Sequence, residues 1–504
     1  MPGKEKKLQS RPPIVVVMGH VDHGKTTLLD YIRRMTHIAH CASESGAPRA
    51  VAEREAGGIT QAVGAYEIIH NKRKITFIDT PGHEAFSAMR SRGAHAADLA
   101  ILVVAADEGV KPQTLEAIKI LEETKTPFIV AINKTDRTNG NLEKAKNDLL
   151  VAGVLLEGLG GQISYHGISA KTGEGINDLL DLILLAADME GFTYNPAAPA
   201  SGYILEVRRD PRRGIEATII MKDGALKKND FIATPSATGK VKILEDFMGC
   251  SVENISPSAP ALVIGFESLP GIGEEFLTDK KEVSYTKEVK NTKNDEILKP
   301  EMSKAERAAA LTLILKASDA GSLEALGMVL RVVGIEKKKA INIVQESVGD
   351  ITDSDVRTAA ATGAILIGFK NKIEKGAQNL VESQHITVIT SKVVYDIVKE
   401  VDELLTGASM ATAAGTLDVL AVFNQERSDK QLIGGRITSG AFRSKASFEI
   451  FRGAGSQESI GVGKVLNLRE NKSEITQAEK GKEIGILASA PIMIEVGDIL
   501  VIRK

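Results

Sequence analysis

The chain has 504 residues, too many for a single core, so three to five domains are expected. Charged residues make up 26% but nearly cancel, to a net charge of −3; bulk electrostatics does not mark a nucleic-acid binder, and only a local basic face is left open. Two distant cysteines, Cys41 and Cys250, argue against a disulfide scaffold and fit a reducing cytoplasm, and the apolar run Ile14 to Met18 is too short for a signal core or a membrane span. A soluble, cytoplasmic protein is the expectation.

From residue 14 to 190 apolar runs alternate with helical patterns. The expected strands are IVVVM (14–18), KITFID (74–79), LAILVVAA (99–106), PFIVAIN (127–133) and a weaker ISYHGIS (163–169). Helices are expected at 25–34, 84–94, 112–124, 141–152 and 175–187. Continuously apolar strands separated by helices predict a parallel sheet covered on both faces, with ligands beyond the carboxyl ends of the strands.

NPAAPA (195–200) is a hinge, after which short runs broken by KDG (222–224), KKND (227–230) and ATG (237–239) predict a small antiparallel barrel over 201–278. Residues 279–305 are charged and read as a linker. Strands LTLILKAS (311–318), AINIVQES (340–347), AILIGF (364–369) and ITVITS (386–391) form a second alternating pattern, with a helix at 322–333. VVYDIVKEVDELL (393–405) has an apolar face at helical spacing and leads out of that domain. The last 90 or so residues return to strands and turns. DGALKKNDFI (223–232) echoes SGAFRSKASF (439–448), and GKVKILED (239–246) echoes GKVLNLRE (463–470). Either the two barrels are related or barrel turns reuse glycine and lysine.

GHVDHGKT (19–26) fits the phosphate-loop pattern, follows a strand and opens a helix. Gly19 and Gly24 permit the tight fold that points backbone N–H groups at phosphate oxygens. Lys25 places a charge between the β- and γ-phosphates, and Thr26 offers a hydroxyl to Mg²⁺. The nucleotide-binding set therefore comprises Gly19, His20, Val21, Asp22, His23, Gly24, Lys25, Thr26 and Thr27. The loop does not choose the base. NKTD (133–136) does: Asp136 can accept from guanine N1 and the 2-amino group, and a buried Asp136 would be left unpaired against adenine. Asn133 can bond the base edge and the Lys134 stem can cover the ring. SAK (Ser169, Ala170, Lys171) follows the next strand and can present an N–H to guanine O6. In IDTPGHEAF (78–86), Asp79 is placed to hold a Mg²⁺-bound water and the Gly82 N–H to sense the γ-phosphate; Thr60, in EAGGIT (55–60), would complete the metal shell only with triphosphate bound. The metal set is thus Thr26, Thr60 and Asp79.

GHVDHGKT and DTPGH resemble the motifs of translational GTPases. EAGGITQAVGAYEI, DTPGHEAFSAMRSRGAHAADLAILVVAADEGVKPQT and NKTD narrow the resemblance to the bacterial translation initiation factor 2 family. LPGIGEEF (269–276), KASDAGSLEAL (316–326) and ITDSDVRTAAATGAILIGF (351–369) extend it past the first domain. The resemblance implies a P-loop GTPase domain (12–195), a β-barrel (201–278), a charged linker (279–305), an α/β/α sandwich (306–392), a connecting helix (393–409) and a C-terminal barrel (410–504) that binds initiator tRNA. It implies GTP and Mg²⁺ as ligands, and a monomer with no membrane association. Formylmethionyl initiator tRNA and the ribosome, as 30S subunit and 70S particle, are the implied partners, with ribosome-stimulated GTP hydrolysis. Val21 and Ile59 would flank the attacking water, His83 would position it, and Asp22 would help hold a monovalent cation.

Three departures stand out. Gly435 and Ile484 occupy positions where the family usually has cysteines, beside Arg436, Lys482 and Glu483 as candidate tRNA contacts or as plain solvated loops. MTHIAHCASESGAPRAVAER (35–54) exceeds the usual connection; His37, His40 and Cys41 lack an evident fourth partner for zinc. Only about a dozen residues precede the first strand, where many members carry a long extension. The alternatives are another ribosome-associated translational GTPase, a GTP-binding assembly switch, and a P-loop kinase, against which NKTD and SAK both argue.

Overall fold

A computed structural model describes residues 8–35, 64–81, 86–278, 310–337, 339–406, 413–424, 430–444, 446–452, 460–470 and 473–503. The chain forms two units, Met1–Val332 with Ala340–Ile397, and Val333–Lys339 with Val398–Lys504.

In the first unit, β1 (Ile14–Gly19), β2 (Gly64–His70), β3 (Arg73–Asp79), β4 (Leu99–Ala105), β5 (Phe128–Asn133) and β6 (Tyr165–Gly167) form one sheet in the order β2-β3-β1-β4-β5-β6. The central strands are buried on both faces, hence their unbroken apolar sequence. Strand β2 was not expected. It is the antiparallel edge, half-buried, and GAYEIIH mixes polar residues into its apolar run. Helices α1 (Lys25–Met35), α2 (Ser87–Ala96), α3 (Pro112–Thr124), α4 (Leu142–Val151) and α5 (Ile176–Glu190) lie between strands. One core, including Val16, Leu102 and Leu121, and another, including Val17, Leu29 and Leu180, fill the two faces.

Strands β7 (Ser201–Asp210), β8 (Gly214–Asp223), β9 (Phe231–Ala233), β10 (Thr238–Asp246), β11 (Pro260–Phe266) and β12 (Glu275–Leu277) close a barrel in the cyclic order β8-β11-β10-β9-β12-β7. The barrel is pinned to the first sheet by Asp98, which accepts from Arg11 at 2.5 and 2.7 Å and from Lys222 at 2.6 Å. Burial alone would raise the Asp98 carboxyl, but these two cations hold it below its usual range.

The α/β domain holds a four-stranded parallel sheet, β14-β13-β15-β16, from β13 (Leu311–Ala317), β14 (Ile341–Val348), β15 (Ile365–Phe369) and β16 (Val388–Ser391). Its helices are α6 (Ala320–Glu336), α7 (Asp353–Thr362) and α8 (Lys375–Gln384), and α9 (Val394–Thr406) leads onward. No described helix is long and apolar enough to cross a membrane.

Where α2, β7 and α6 meet, Phe86, Met89 and Ala325 form a small apolar cluster and Arg92 pairs with Glu324. Glu206 is buried there: one oxygen accepts from the Val207 and Gly321 N–H groups, and the other is buried without a hydrogen-bond partner. Burial, reinforced by Asp319, pushes its carboxyl up to about 8. A carboxyl raised from about 4.5 retains its proton in the fold across the interval where the unfolded chain loses it, so stability falls as pH rises from about 4.5 to 8. Glu206→Gln is therefore expected to raise stability at pH 7 by on the order of 3 kcal/mol. The gain should vanish by about pH 4.5; thermal melting of both proteins between pH 4.5 and 8 measures it. A pH-independent difference would contradict this assignment.

In the second unit, β17 (Ala413–Asn424), β18 (Gln431–Arg443), β19 (Ser447–Arg452), β20 (Gly461–Glu470), β21 (Glu483–Ser489) and β22 (Asp498–Arg503) pair as β17-β22-β19-β20-β21-β18, and β17–β18 pairing closes the ring. Ranked by chain position, both barrels have the same cyclic order, 2-5-4-3-6-1. The paired sequences noted above fall at matching places: GKVKILED and GKVLNLRE each lie on the fourth strand, and the other pair spans the turn from second to third. Their similarity therefore follows a shared topology.

Candidate functional site

The carboxyl ends of β1, β3, β4 and β5 meet along one edge of the first sheet. Gly19 pairs with Val103, Val17 with Asp79, and Ala105 with Asn133. Gly19 turns at φ +136°, and a Cβ there would collide with the Val103 carbonyl. A short 3₁₀ turn, Val21–His23, follows, then Gly24 in the left-handed region at φ +85° opens α1. A side chain at Gly24 would strike the Asn133 amide.

Lys25 is only 4% exposed, and its ammonium donates to the Gly19 and His20 carbonyls at 2.8 and 2.6 Å. Burial pushes it down to about 7, opposed by the Asp79 charge. A buried cation whose hydrogen-bond partners are neutral carbonyls suits an anion. His23 is buried and neutral, pushed down to about 4 chiefly by burial. Its Nδ1 lies 3.3 Å from the Val103 carbonyl and so donates; Nε2, the acceptor, is buried without a partner. His20 stands edge-on to it, ring centres 5.0 Å apart. Asp22 and Thr27 are exposed and Thr26 is partly buried. Asp79, 3% exposed, ends β3, and Thr80 Oγ1 donates to the Val17 carbonyl at 2.9 Å. Thr26 and Asp79 are oxygen donors of the hard type that Mg²⁺ prefers.

The base-side motifs are joined to this loop through Asn133. Its Nδ2 donates to the His23 carbonyl at 2.8 Å, and its Oδ1 accepts from the Ala170 N–H at 2.9 Å. Asp136 Oδ1 accepts from Ser169 Oγ at 2.7 Å. Asp136 is exposed, on a turn beyond the end of its strand. Lys134 adopts φ +65°, and its ammonium lies 3.0 Å from Glu108; Lys171 is exposed. The structure thus gathers Gly19, Lys25, Asp79, Asn133, Ser169, Ala170 and Asp136 around one sheet edge. Ile59, Thr60, Gly82 and His83 lie outside the described residues, as do His37, His40 and Cys41. Sequence reading missed Glu108 and Gln113, which reach the loop region from beyond β4; the strand end before KPQT was the available signal.

Three family models match: "Elongation factor Tu GTP binding domain" over residues 10–188, "Elongation factor G domain 2" over 199–279, and "Translation-initiation factor 2" over 285–402. "Translation initiation factor IF-2" of Thermotoga sp. (strain RQ2) is 38% identical over 523 residues, covering 99% of this chain and 73% of that protein. The chain belongs to the translation initiation factor 2 family. The protein of the same name from Finegoldia magna is 36% identical, covering 99% of this chain, which spans 65% of that relative's length. A crystal structure of GDP-bound aIF5B from Aeropyrum pernix aligns with a TM-score of 0.46 at 25% identity, covering 98% of this chain and 92% of that one.

In this family member's terminal barrel, Gly435 and Ile484 are cross-strand partners on β18 and β21. Both are buried, and a Cβ at Gly435 would run into the Leu417 side chain and the Asp418 carbonyl. The pair is therefore an apolar plug. Arg436 and Glu483 form an exposed ion pair, and Lys482 pairs with Glu470 at 3.0 Å.

Proposed function

We propose that this chain binds GTP with Mg²⁺, brings formylmethionyl initiator tRNA to the 30S subunit, promotes subunit joining and hydrolyses GTP when the 70S ribosome stimulates it. The observation that carries the guanine reading is the pair of hydrogen bonds made by the Asn133 amide, which ties the phosphate loop to the Ala170 segment beside Asp136. Family membership over nearly the whole chain supports the initiation role.

Lys25 and the loop N–H groups hold the β- and γ-phosphates, and Asp136 reads the guanine edge. Thr26 and Asp79, with Thr60, hold Mg²⁺, which when bound neutralises phosphate charge. Val21 and Ile59 fence the attacking water, His83 orients it, and Asp22 contributes to a monovalent cation site. The terminal barrel takes the acceptor end of the tRNA, with Arg436, Lys482 and Glu483 at its surface. Arg436 would have to exchange Glu483 for a phosphate, which lowers its net contribution. The protein acts as a cytoplasmic monomer.

GTP turnover measured with and without 70S ribosomes tests this reading. Stimulation on the order of a thousandfold is expected, as activating partners supply to related switches. Tight GTP binding without stimulation would instead make the chain an assembly switch.

A further inference from the structure

We propose that Gln113 and Glu116 are positioning residues that join the phosphate loop to the start of the second switch through one face of α3. This rests on the GTPase reading above and names two residues that it does not use. Gln113 is 7% exposed, and its Oε1 accepts from the Val21 N–H at 3.0 Å. That N–H belongs to the 3₁₀ turn of the loop, so the turn is held by a side chain from a different element.

One turn further along α3, on the same face, Glu116 Oε1 accepts from Ser87 Oγ at 2.5 Å and from the Arg90 guanidinium at 2.6 Å. Arg90 is 1% exposed, and it also donates to the Pro81 carbonyl at 3.2 Å. Pro81 directly follows Asp79 and Thr80. The line Val21–Gln113–Glu116–Arg90–Pro81 thus crosses from the loop to the switch without passing through nucleotide. A helical turn is stiff, and a buried guanidinium cannot lose its carboxylate cheaply. Movement of Pro81 and α2 is therefore transmitted to α3 and then to Val21, which flanks the water. Loop and switch hinge are set together.

The test uses the full chain with Gln113→Leu, Glu116→Gln and the double variant; both replacements are close to isosteric. Release of fluorescent GDP is expected to quicken about fivefold or more in each single variant. The double variant should release GDP no faster than the faster single, because both changes cut the same line. Glu116→Gln should also lower kcat for ribosome-stimulated hydrolysis about fivefold with KM changed less than about twofold, kcat being referred to the protein that binds GDP stoichiometrically so that a loss of folded protein does not enter it. Multiplicative effects on GDP release, or wild-type release in both singles, would overturn the proposal. If the unaltered chain shows no ribosome stimulation, the functional reading fails, while the GDP-release comparison still decides whether the line exists.

Discussion

Lys25→Met is expected to weaken GTP and GDP binding by about two to three orders of magnitude without destabilising the nucleotide-free protein. The ammonium is enclosed, and the oxygens it touches are the carbonyls of Gly19 and His20. Bonds from a charged donor contribute about 1.5–3 kcal/mol each, so losing two to phosphate at the lower part of that range, about 1.5–2 kcal/mol each, costs about 3–4 kcal/mol, and each 1.4 kcal/mol is tenfold. The stability side has the opposite sign. Burial lowers Lys25 from 10.5 to about 7, so the unfolded chain binds more protons between those values and stability rises with pH across that window. Methionine keeps the stem's packing and removes the desolvation penalty. At pH 7 the nucleotide-free variant should melt no lower than the parent, while the rise in melting temperature on adding GDP disappears. Fluorescent-GTP titration alongside melting scans separates the two effects. Affinity within threefold of the parent would remove Lys25 from phosphate binding.

The phosphate loop is legible in the sequence because it is local: its residues sit within eight positions and its strand and helix flank it. The parallel strands were legible for the same reason, since burial on both faces writes an unbroken apolar run. Strand β2 was not, because an edge strand with one wet face carries glutamate and histidine among its apolar residues. Glu206 shows a different limit. Its strand reads as ordinary barrel sequence, and the Gly321 N–H that it accepts from lies 115 residues away. Gln113 and Glu116 were invisible for that reason too: their partners Val21 and Arg90 are 92 and 26 residues distant. Asp136 stands beside Ser169 of the second base-side motif, but motif spacing says nothing about how far its turn projects. The barrel echo ran the other way. A weak sequence pattern acquired meaning once both rings showed one strand order.

Asp136→Asn is expected to invert base choice from guanine to xanthine. Guanine offers two donors, N1–H and the 2-amino group, and a carboxylate accepts both. An asparagine amide offers one acceptor and one donor group, so it faces the 2-amino group with N–H against N–H. The lost charge-assisted bond costs about 1.5–3 kcal/mol and the stranded donor about 1–3 more, which together weaken GTP by about 10² to 10⁴-fold. Xanthine keeps N1–H and replaces the amino group with a carbonyl, so it matches the amide. Ser169 keeps the new side chain in place. Its hydroxyl already accepts from the Thr172 N–H at 3.1 Å, so its own proton is directed at residue 136, and an amide oxygen receives it as the carboxylate does. The exposure of Asp136 makes the change tolerable to the fold, because no buried charge is stranded by it. Competition of GTP and XTP against fluorescent GDP measures the inversion. An undiminished guanine preference would take Asp136 out of base recognition and leave Asn133 and the Ala170 segment to account for it.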